Sequence, residues 1–459
     1  MEKKELQRIH LIATGGSIMH NLALALHDKG LHVTGSDDEI FEPAKSRLAA
    51  AGLLPAQEGW FPEKINASID AVILGMHARP DNPELLRAQE LNIPIYSFPE
   101  FIYEQSKDKQ RVVIGGSHGK TSITSIIMHV LKHLNRKFDY AVGAQLEGFD
   151  RMVKLTEDAP VIIIEGDEYL SDPIKRIPKF HLYHHHIAVI SGISWDHINV
   201  FPNPEVYREQ FRIFAEMTPK AGTLIYNQDD EQVQLVSVPR NPADINYVGY
   251  GVHEHSIRNG KTILHTKKED DVAIQLFGEH NLRNINAAKE VCKKIGVKAS
   301  DFYEALKSFK GAAKRLEKLG ENAGTVVYKD FAHAPSKVKA TTEAVKKQYP
   351  DRQLVAALEL HTFSSLNKAF LPQYAGALDL ADEPILYFNP KTIEHKRMEM
   401  LTEEELKAAF QNPRLKVFTD SEALQQHLTG RNWSQTNLLL MSSGNYNNLN
   451  LEALTNAVL

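Results

Sequence analysis

Short runs of apolar, often β-branched residues recur along this chain, and most are followed by stretches whose apolar positions repeat at helical spacing. Residues 9–13 predict a strand, and residues 18–28 a helix with Leu22, Ala25 and Leu26 on one face and Gly30 closing it. Further strands are predicted over 31–34, 70–74, 94–97, 111–114, 160–164 and 187–193, then over 325–328, 354–358, 384–388 and 437–441. Helices are predicted over 284–295 and 336–348. Strands that alternate with helices describe an α/β chain built on parallel sheets.

One stretch organises the rest. Residues 111–131 read RVVIGGSHGKTSITSIIMHVL. The strand runs into Gly115, Gly116, Ser117, His118 and Gly119, and Lys120, Thr121 and Ser122 then open a helix with Ile123, Ile126, Ile127, Val130 and Leu131 on its apolar side. Strand, glycine loop and Lys-Thr at a helix start form a phosphate-binding loop. Glycines let backbone N–H groups approach phosphate oxygens, because no Cβ intervenes. Lys120 adds positive charge at the β- and γ-phosphates, and the Thr121 hydroxyl suits Mg²⁺. The common pattern asks for a glycine where Ile114 stands, so this loop is a variant.

Other polar groups sit at strand ends, where open α/β sheets bind ligands. Glu165 heads the run EGDEY after one strand, and Asp196-His197 follows another. A carboxylate beside a phosphate loop holds Mg²⁺ directly or through water, so Thr121, Glu165 and His197 are candidate metal ligands. His197 is equally placed as a base. Near the start, Gly15, Gly16, Ser36 and Asp37 follow the first two strands, with Asp37 where a dinucleotide-type fold puts an acid near a ribose. The loop is not GxGxxG, since Ala13 and Ile18 stand at two of its glycine positions. His77 and Arg79 follow the next strand and are candidate contacts for an anionic substrate. Asn281 and Asn284 lie one helical turn apart and can face one ligand such as a purine edge, while helix capping by Asn281 is the plainer alternative. The tract His184-His185-His186 is a poor metal site, because adjacent strand residues face opposite ways.

Composition narrows the classes. The chain has 459 residues, about three domains' worth, with 42% hydrophobic and 24% charged residues. A net charge of −5 shows no basic excess, so no nucleic-acid partner is expected. No apolar run is long enough to span a bilayer, and the charged start MEKKELQR has no apolar segment behind it. Cys292 is the only cysteine, so no intrachain disulfide forms, which suits the cytoplasm.

The motifs GGSHGKTS, EGDE, WDH, GEHNLRN, KRLE and DFAHAP, in that order over nearly the whole chain, resemble the Mur ligase family of ATP-dependent ligases. The resemblance implies three α/β domains: a Rossmann-like N-terminal domain over 1–107, a central P-loop ATPase-type domain over 108–313, and a C-terminal Rossmann-like domain over 314–459. It implies ATP and Mg²⁺ as cofactors, with Lys120 on phosphate and Thr121, Glu165 and His197 around the metal. Asn281 and Asn284 would hold adenine, and Arg315 and Asp330 would reach the nucleotide. Gly15, Gly16, Ser36 and Asp37 would lie along a UDP-sugar, and hinges would fall near 105–110 and 311–314. Some members carry a modified lysine after the Asp-His pair; Phe211 stands at that place here. That fits the branch acting on UDP-N-acetylmuramate itself, which adds either L-alanine or a preformed tripeptide. The segment Glu359-Leu360-His361-Thr362 lacks the arginines of the alanine-adding pattern, and Met441-Ser442-Ser443-Gly444 resembles the tripeptide-adding branch. The expected activity is therefore joining of UDP-N-acetylmuramate to L-Ala-γ-D-Glu-meso-diaminopimelate, with Glu359, His361 and His333 near the amine substrate. His361 stands where that branch has arginine, and Ala334 where a second histidine is usual.

Overall fold

The structure, a computed structural model, describes residues 6–198, 200–237, 244–258, 261–311 and 316–459. The chain forms two compact units. The first comprises Met1–Trp195, Pro202–Gly251 and Ala287–Phe302, and the second Asp196–Phe201, Val252–Asn286 and Tyr303–Leu459.

Two sheets build the first unit. Strands β1 (Arg8–Ile12), β2 (His32–Ser36), β3 (Ala71–Leu74) and β4 (Ile95–Ser97) pair in parallel in the order β2-β1-β3-β4. The strand order reverses at β1, so the crevice lies past its C-terminal end, where Gly15 and Gly16 stand. Ile12, Val72 and Leu74 pack with Leu85, Ala88 and Ile93 to bury one side of this sheet.

The second sheet has seven strands: β5 (Gln110–Gly115), β6 (Asp139–Ala141), β7 (Val153–Lys154), β8 (Val161–Glu165), β9 (Ile187–Ile190), β10 (Thr223–Asn227) and β11 (Asn246–Tyr250). Their order is β11-β10-β9-β5-β8-β6-β7, parallel apart from the β6–β7 pair. Strand β5 is central and buried after its first residue, as its β-branched run requires. The two sheets are joined through Asn21, whose Oδ1 accepts the Met152 N–H at 2.9 Å.

The second unit carries a three-stranded antiparallel sheet, β12 (His255–Arg258), β13 (Lys261–Leu264) and β14 (Val272–Ile274). It also carries a six-stranded sheet of β15 (Glu317–Glu321), β16 (Val326–Asp330), β17 (Gln353–Glu359), β18 (Glu383–Tyr387), β19 (Lys416–Phe418) and β20 (Thr436–Met441). The order is β15-β16-β20-β17-β18-β19, with only β15 antiparallel to its neighbour. The ends of β16, β20 and β17 are thus side by side.

The predicted strands are present to within a few residues. Two expectations need correction, and a third falls outside the described residues. The 284–295 helix starts earlier, as Glu279–Lys294. Asn281 therefore lies inside the helix rather than capping it, and its amide donates to the Phe277 carbonyl at 2.9 Å. The polar run 104–110, which reads as a linker and carries the expected 105–110 hinge, is tied down: its start belongs to the helix Phe98–Gln105, and the buried Arg111 guanidinium collects the carbonyls of Ser106, Lys107 and Lys109 at 2.8, 3.1 and 3.3 Å. The 311–314 hinge reaches into residues 312–315, outside the described residues.

Candidate active site

The phosphate loop is held from both sides. Gly116 has φ +136°, and a Cβ added there would lie 2.1 Å from Ser191 Oγ. Gly119 has φ +83° and precedes the helix Lys120–His133. Both positions need glycine for backbone reasons alone. The opposite wall is Ser191-Gly192, just past β9. Gly192 accepts the Ser117 N–H at 2.9 Å, and Ser191 Oγ donates to the carbonyls of Gly115 and His118. A Cβ on Gly192 would lie 2.1 Å from the His118 ring. The first N–H groups of a helix have no intrahelical partner, so a start carrying Lys120, Thr121 and Ser122 suits an anion.

Lys120 Nζ donates to the Gly116 carbonyl and to Glu168 Oε2, each at 2.5 Å. Glu168 is buried, and its other oxygen accepts the Tyr207 hydroxyl at 2.9 Å. Tyr207 in turn shares a hydrogen bond with Ser117 Oγ at 2.8 Å, and Ser117 Oγ accepts the Ser194 N–H at 2.8 Å. A continuous chain of hydrogen bonds thus runs from the lysine back to the loop. Burial alone would lower the Lys120 pKa, but the charges of Glu168 and Asp167 outweigh it and hold the ammonium above the ordinary lysine range. For Asp167 burial works upward, and the ammoniums of Lys179 and Lys120 outweigh it to hold the carboxyl below its usual range.

Thr121 Oγ1 donates to Glu165 Oε1 at 2.7 Å, and the Gly143 N–H reaches the other oxygen at 3.2 Å. Burial pushes Glu165 above the usual carboxylate range, against the Thr121 hydrogen bond and the Lys120 charge. A hydroxyl and a carboxylate beside a phosphate cradle are hard oxygen donors, and they fit Mg²⁺, which takes its remaining ligands from phosphate and water. Among the described residues no group of three or more His, Cys, Asp or Glu could hold a metal by itself. The expected ligands Thr121 and Glu165 are brought together. His197 belongs to the second unit. It has φ +55°, and its N–H donates to Asp196 Oδ1 at 2.7 Å. Burial would raise Asp196, but His197 and Lys337 hold it down.

Within the first unit the two glycine loops meet. The Gly143 carbonyl accepts Ser17 Oγ at 3.4 Å, so the N-terminal loop lies two hydrogen bonds from Glu165. Gly15 N–H donates to Asp37 Oδ2 at 2.6 Å, and Gly16 accepts the His20 N–H at 3.0 Å. Burial, with help from neighbouring Asp38, raises Asp37 to about 6 in spite of the Gly15 hydrogen bond. The Ser36 carbonyl takes the N–H groups of Ala13 and Thr14, and its hydroxyl accepts Lys64 Nζ at 3.1 Å. Ala13, at a usual glycine position, has φ +66°. His77 and Arg79 are exposed past β3, and Arg79 faces Asp81 at 3.4 Å.

In the second unit Asn281 and Asn284 are both buried on one face of their helix. Both oxygens of Asp330 are engaged, one with the Ala332 N–H at 2.6 Å and one with the Leu316 N–H at 2.5 Å. Asp330 therefore fixes the residue next to Arg315, which itself lies outside the described residues. His333 Nδ1 bonds the Phe331 carbonyl at 2.9 Å. Glu359 is buried at the end of β17, where its Oε2 accepts Ser442 Oγ and the Tyr446 N–H. His361, on the same strand end, has Nδ1 at 3.9 Å from the other Glu359 oxygen. The histidine tract has structural partners: His185 Nε2 bonds Thr218 Oγ1 at 2.9 Å, and His186 Nδ1 accepts the Arg111 N–H at 3.1 Å.

Sequence reasoning passed over Glu168, Tyr207 and Lys64 as site residues. Glu168 had a signal, standing in the same EGDEY run as Glu165. Tyr207 comes from a distant helix, and nothing local marks it.

Three family models match in chain order: the Mur ligase family, catalytic domain, over residues 8–110; the Mur ligase middle domain over 114–292; and the Mur ligase, glutamate ligase domain over 314–444. A UDP-N-acetylmuramate–L-alanine ligase of Caldicellulosiruptor bescii is 32% identical over 400 residues, covering 83% of each chain. The chain belongs to the Mur ligase family. It is an ATP-dependent, ADP-forming ligase that uses Mg²⁺. Two solved structures share the fold of this Mur ligase. The UDP-N-acetylmuramate–alanine ligase MurC of Thermotoga maritima has a TM-score of 0.68 at 20% identity, covering 98% of each chain. The murein peptide ligase of Psychrobacter arcticus has a TM-score of 0.63 at 21% identity, covering 98% of this chain and 99% of the other. The expected three-domain α/β architecture is borne out by these matches. Among the described residues no helix is long and apolar enough to cross a membrane.

Proposed function

We propose that this Mur ligase joins UDP-N-acetylmuramate to the tripeptide L-Ala-γ-D-Glu-meso-diaminopimelate, in the cytoplasm, with functional divisions near residues 107 and 313. The observation that carries the reading is the short path from the N-terminal glycine loop to the phosphate site, Ser17 to Gly143 to Glu165 to Thr121. A UDP-sugar lying along Gly15, Gly16, Ser36 and Asp37 would direct its acid end to that site. The tripeptide is supported by the end of β17, where the buried Glu359 stands and the arginines of the alanine-adding pattern are missing, although His361 departs from the tripeptide-adding branch as well.

A carboxylate and an amine form a salt at neutral pH, so the acid must be activated. The lactoyl carboxylate oxygen attacks the γ-phosphorus of ATP, ADP leaves, and an acyl phosphate forms. The peptide amine then attacks the acyl carbon, phosphate leaves, and the amine loses a proton. Bound Mg²⁺ supplies charge neutralisation at the phosphates. Lys120 leaves Glu168 to hold the transferring phosphoryl group, and the loop N–H groups stabilise its oxygens. Thr121 and Glu165 would hold the metal, Asn281 and Asn284 the adenine, and Arg315, outside the described residues, is assigned to the nucleotide. His197 serves as a further metal ligand or as the base that takes the amine proton. Holding the reactants in line lowers the barrier by about 7–11 kcal/mol in well-aligned cases.

A second reading, addition of L-alanine, is favoured by relatives such as the 32% identical enzyme named for that reaction. Phosphate release from ATP with UDP-N-acetylmuramate, measured with the tripeptide and with L-alanine, separates the two. Turnover with the tripeptide alone supports the proposal; turnover with L-alanine alone replaces it. Silence with both would favour a nucleotide-gated binding protein.

A further inference from the structure

The loop after β17 carries a feature that no assigned residue uses. Ser365 Oγ accepts the N–H groups of His361 and Thr362 at 3.1 and 3.0 Å, which ties the loop down. Ser365 is fully buried, yet Phe363, two residues before it, is 56% exposed. The Phe363 ring is not bare. Lys396 Nζ sits 4.2 Å from its centroid. Lys396 lies at the C-terminal end of the helix Pro390–His395, which follows β18, the neighbour of β17. The loop after β20 meets the other end of that helix, where Asn389 Nδ2 donates to Asn447 Oδ1 at 3.1 Å.

Two other lysines of the second unit are neutralised. Lys368 pairs with Glu405 at 2.6 Å, and Lys407 with Glu403 at 2.6 Å. Among the described residues Lys396 has no carboxylate partner. An ammonium over an aromatic face keeps most of its charge available, and the ring holds it in place.

We propose that Phe363 and Lys396 form a recognition site for an anionic peptide, in which Lys396 binds a carboxylate and Phe363 supports the peptide's aliphatic body. The inference rests on the proposed function and deepens it. The tripeptide carries three carboxylates, while L-alanine carries one, beside its amine. A peptide whose amine is at the ends of β16, β17 and β20 extends roughly 10 Å farther, at 3.3–3.6 Å per residue, and presents its distal carboxylates to the surrounding loops. L-Alanine is too short to do so. The site therefore reads peptide length, and it occupies the strand end where His361 replaces arginine.

The experiment is steady-state kinetics of the full chain with Lys396→Glu, Lys396→Gln and Phe363→Ala, using the tripeptide, UDP-N-acetylmuramate and ATP. Phe363 is exposed and Lys396 half-buried at a helix end, and an unchanged kcat in each variant reports an intact fold. The expected result is a KM for the tripeptide raised about tenfold by Lys396→Gln and more by Lys396→Glu. The KM values for ATP and UDP-N-acetylmuramate and the kcat stay unchanged. Added salt should raise the tripeptide KM of the wild type and leave that of Lys396→Gln nearly constant. If the wild type turns over the tripeptide and Lys396→Glu has the same KM, the recognition site is wrong and the functional reading stands. If the wild type does not use the tripeptide, both are overturned.

Discussion

Replacing Glu168 by glutamine removes the charge that holds Lys120 while keeping the shape and an acceptor for Tyr207. The two side chains are 2.5 Å apart, with 2% of Glu168 and 15% of Lys120 exposed. Breaking a buried ion pair by removing one partner costs about 3–5 kcal/mol. Lys120 keeps the Gly116 carbonyl at 2.5 Å and some contact with water, so the low end applies. A loss of about 3 kcal/mol corresponds to a fall of roughly 6 °C in the transition of a unit as large as the first. Calorimetry of the nucleotide-free protein measures it. The second arm is nucleotide binding. In the wild type a phosphate must take Lys120 from Glu168, and in Glu168→Gln it meets no competitor. Mg·ATP should bind the variant at least tenfold more tightly and raise its Tm by more than it raises the wild type's, as linkage requires. A Tm within about 2 °C of wild type would refute the energetic argument. Weaker ATP binding would show that Glu168 orients Lys120 towards phosphate instead of withholding it.

Lys120→Ala should abolish ATP turnover while titration calorimetry finds UDP-N-acetylmuramate binding intact. Gly116→Ala places a Cβ 2.1 Å from Ser191 Oγ at φ +136°. It should cost about 1–3 kcal/mol of stability by overpacking and eliminate phosphate release. Asp37 titrates near 6 in the folded protein against an ordinary value of 3.8. The folded state then holds the proton more tightly, so stability should fall as pH rises from about 4 to about 6. Urea titrations across that range should lose this slope in Asp37→Asn, and an unchanged slope would assign the effect elsewhere.

Much of the architecture was legible in the chain because its signals are local. Arg111 to Thr121 carries strand, loop and helix start in contiguous residues, and each depends on near neighbours: β-branched residues, glycines free to take positive φ, and an apolar stripe. The parallel strands of the large sheets are continuous apolar runs for the same reason. The strands β6, β7, β10, β11, β12 to β15 and β19 escaped: most are short or, like HSIR, VAI and EKLGE, lack that density and gain their pairing from neighbours, while TLIYN of β10 has an apolar run that was passed over.

Within the candidate site, residue type and order along the sequence were enough to nominate Lys120, Thr121, Glu165 and the asparagines. Only the tertiary structure decided their partners. Lys120 meets Glu168, and through it Tyr207 and Ser117, because β5, β8 and the helix Pro204–Glu216 pack together. Asp330 spends its oxygens on the backbone of Leu316 and Ala332, and Phe363 meets Lys396 across adjacent loops. A hydrogen bond or ion pair is set by distances between segments far apart in the chain, and those distances exist only after the sheets have closed. The sequence by itself determined which chemical groups the protein owns and the local elements that carry them. The packing of those elements decided which groups share a charge, which are spent on structure, and which are left to meet a ligand.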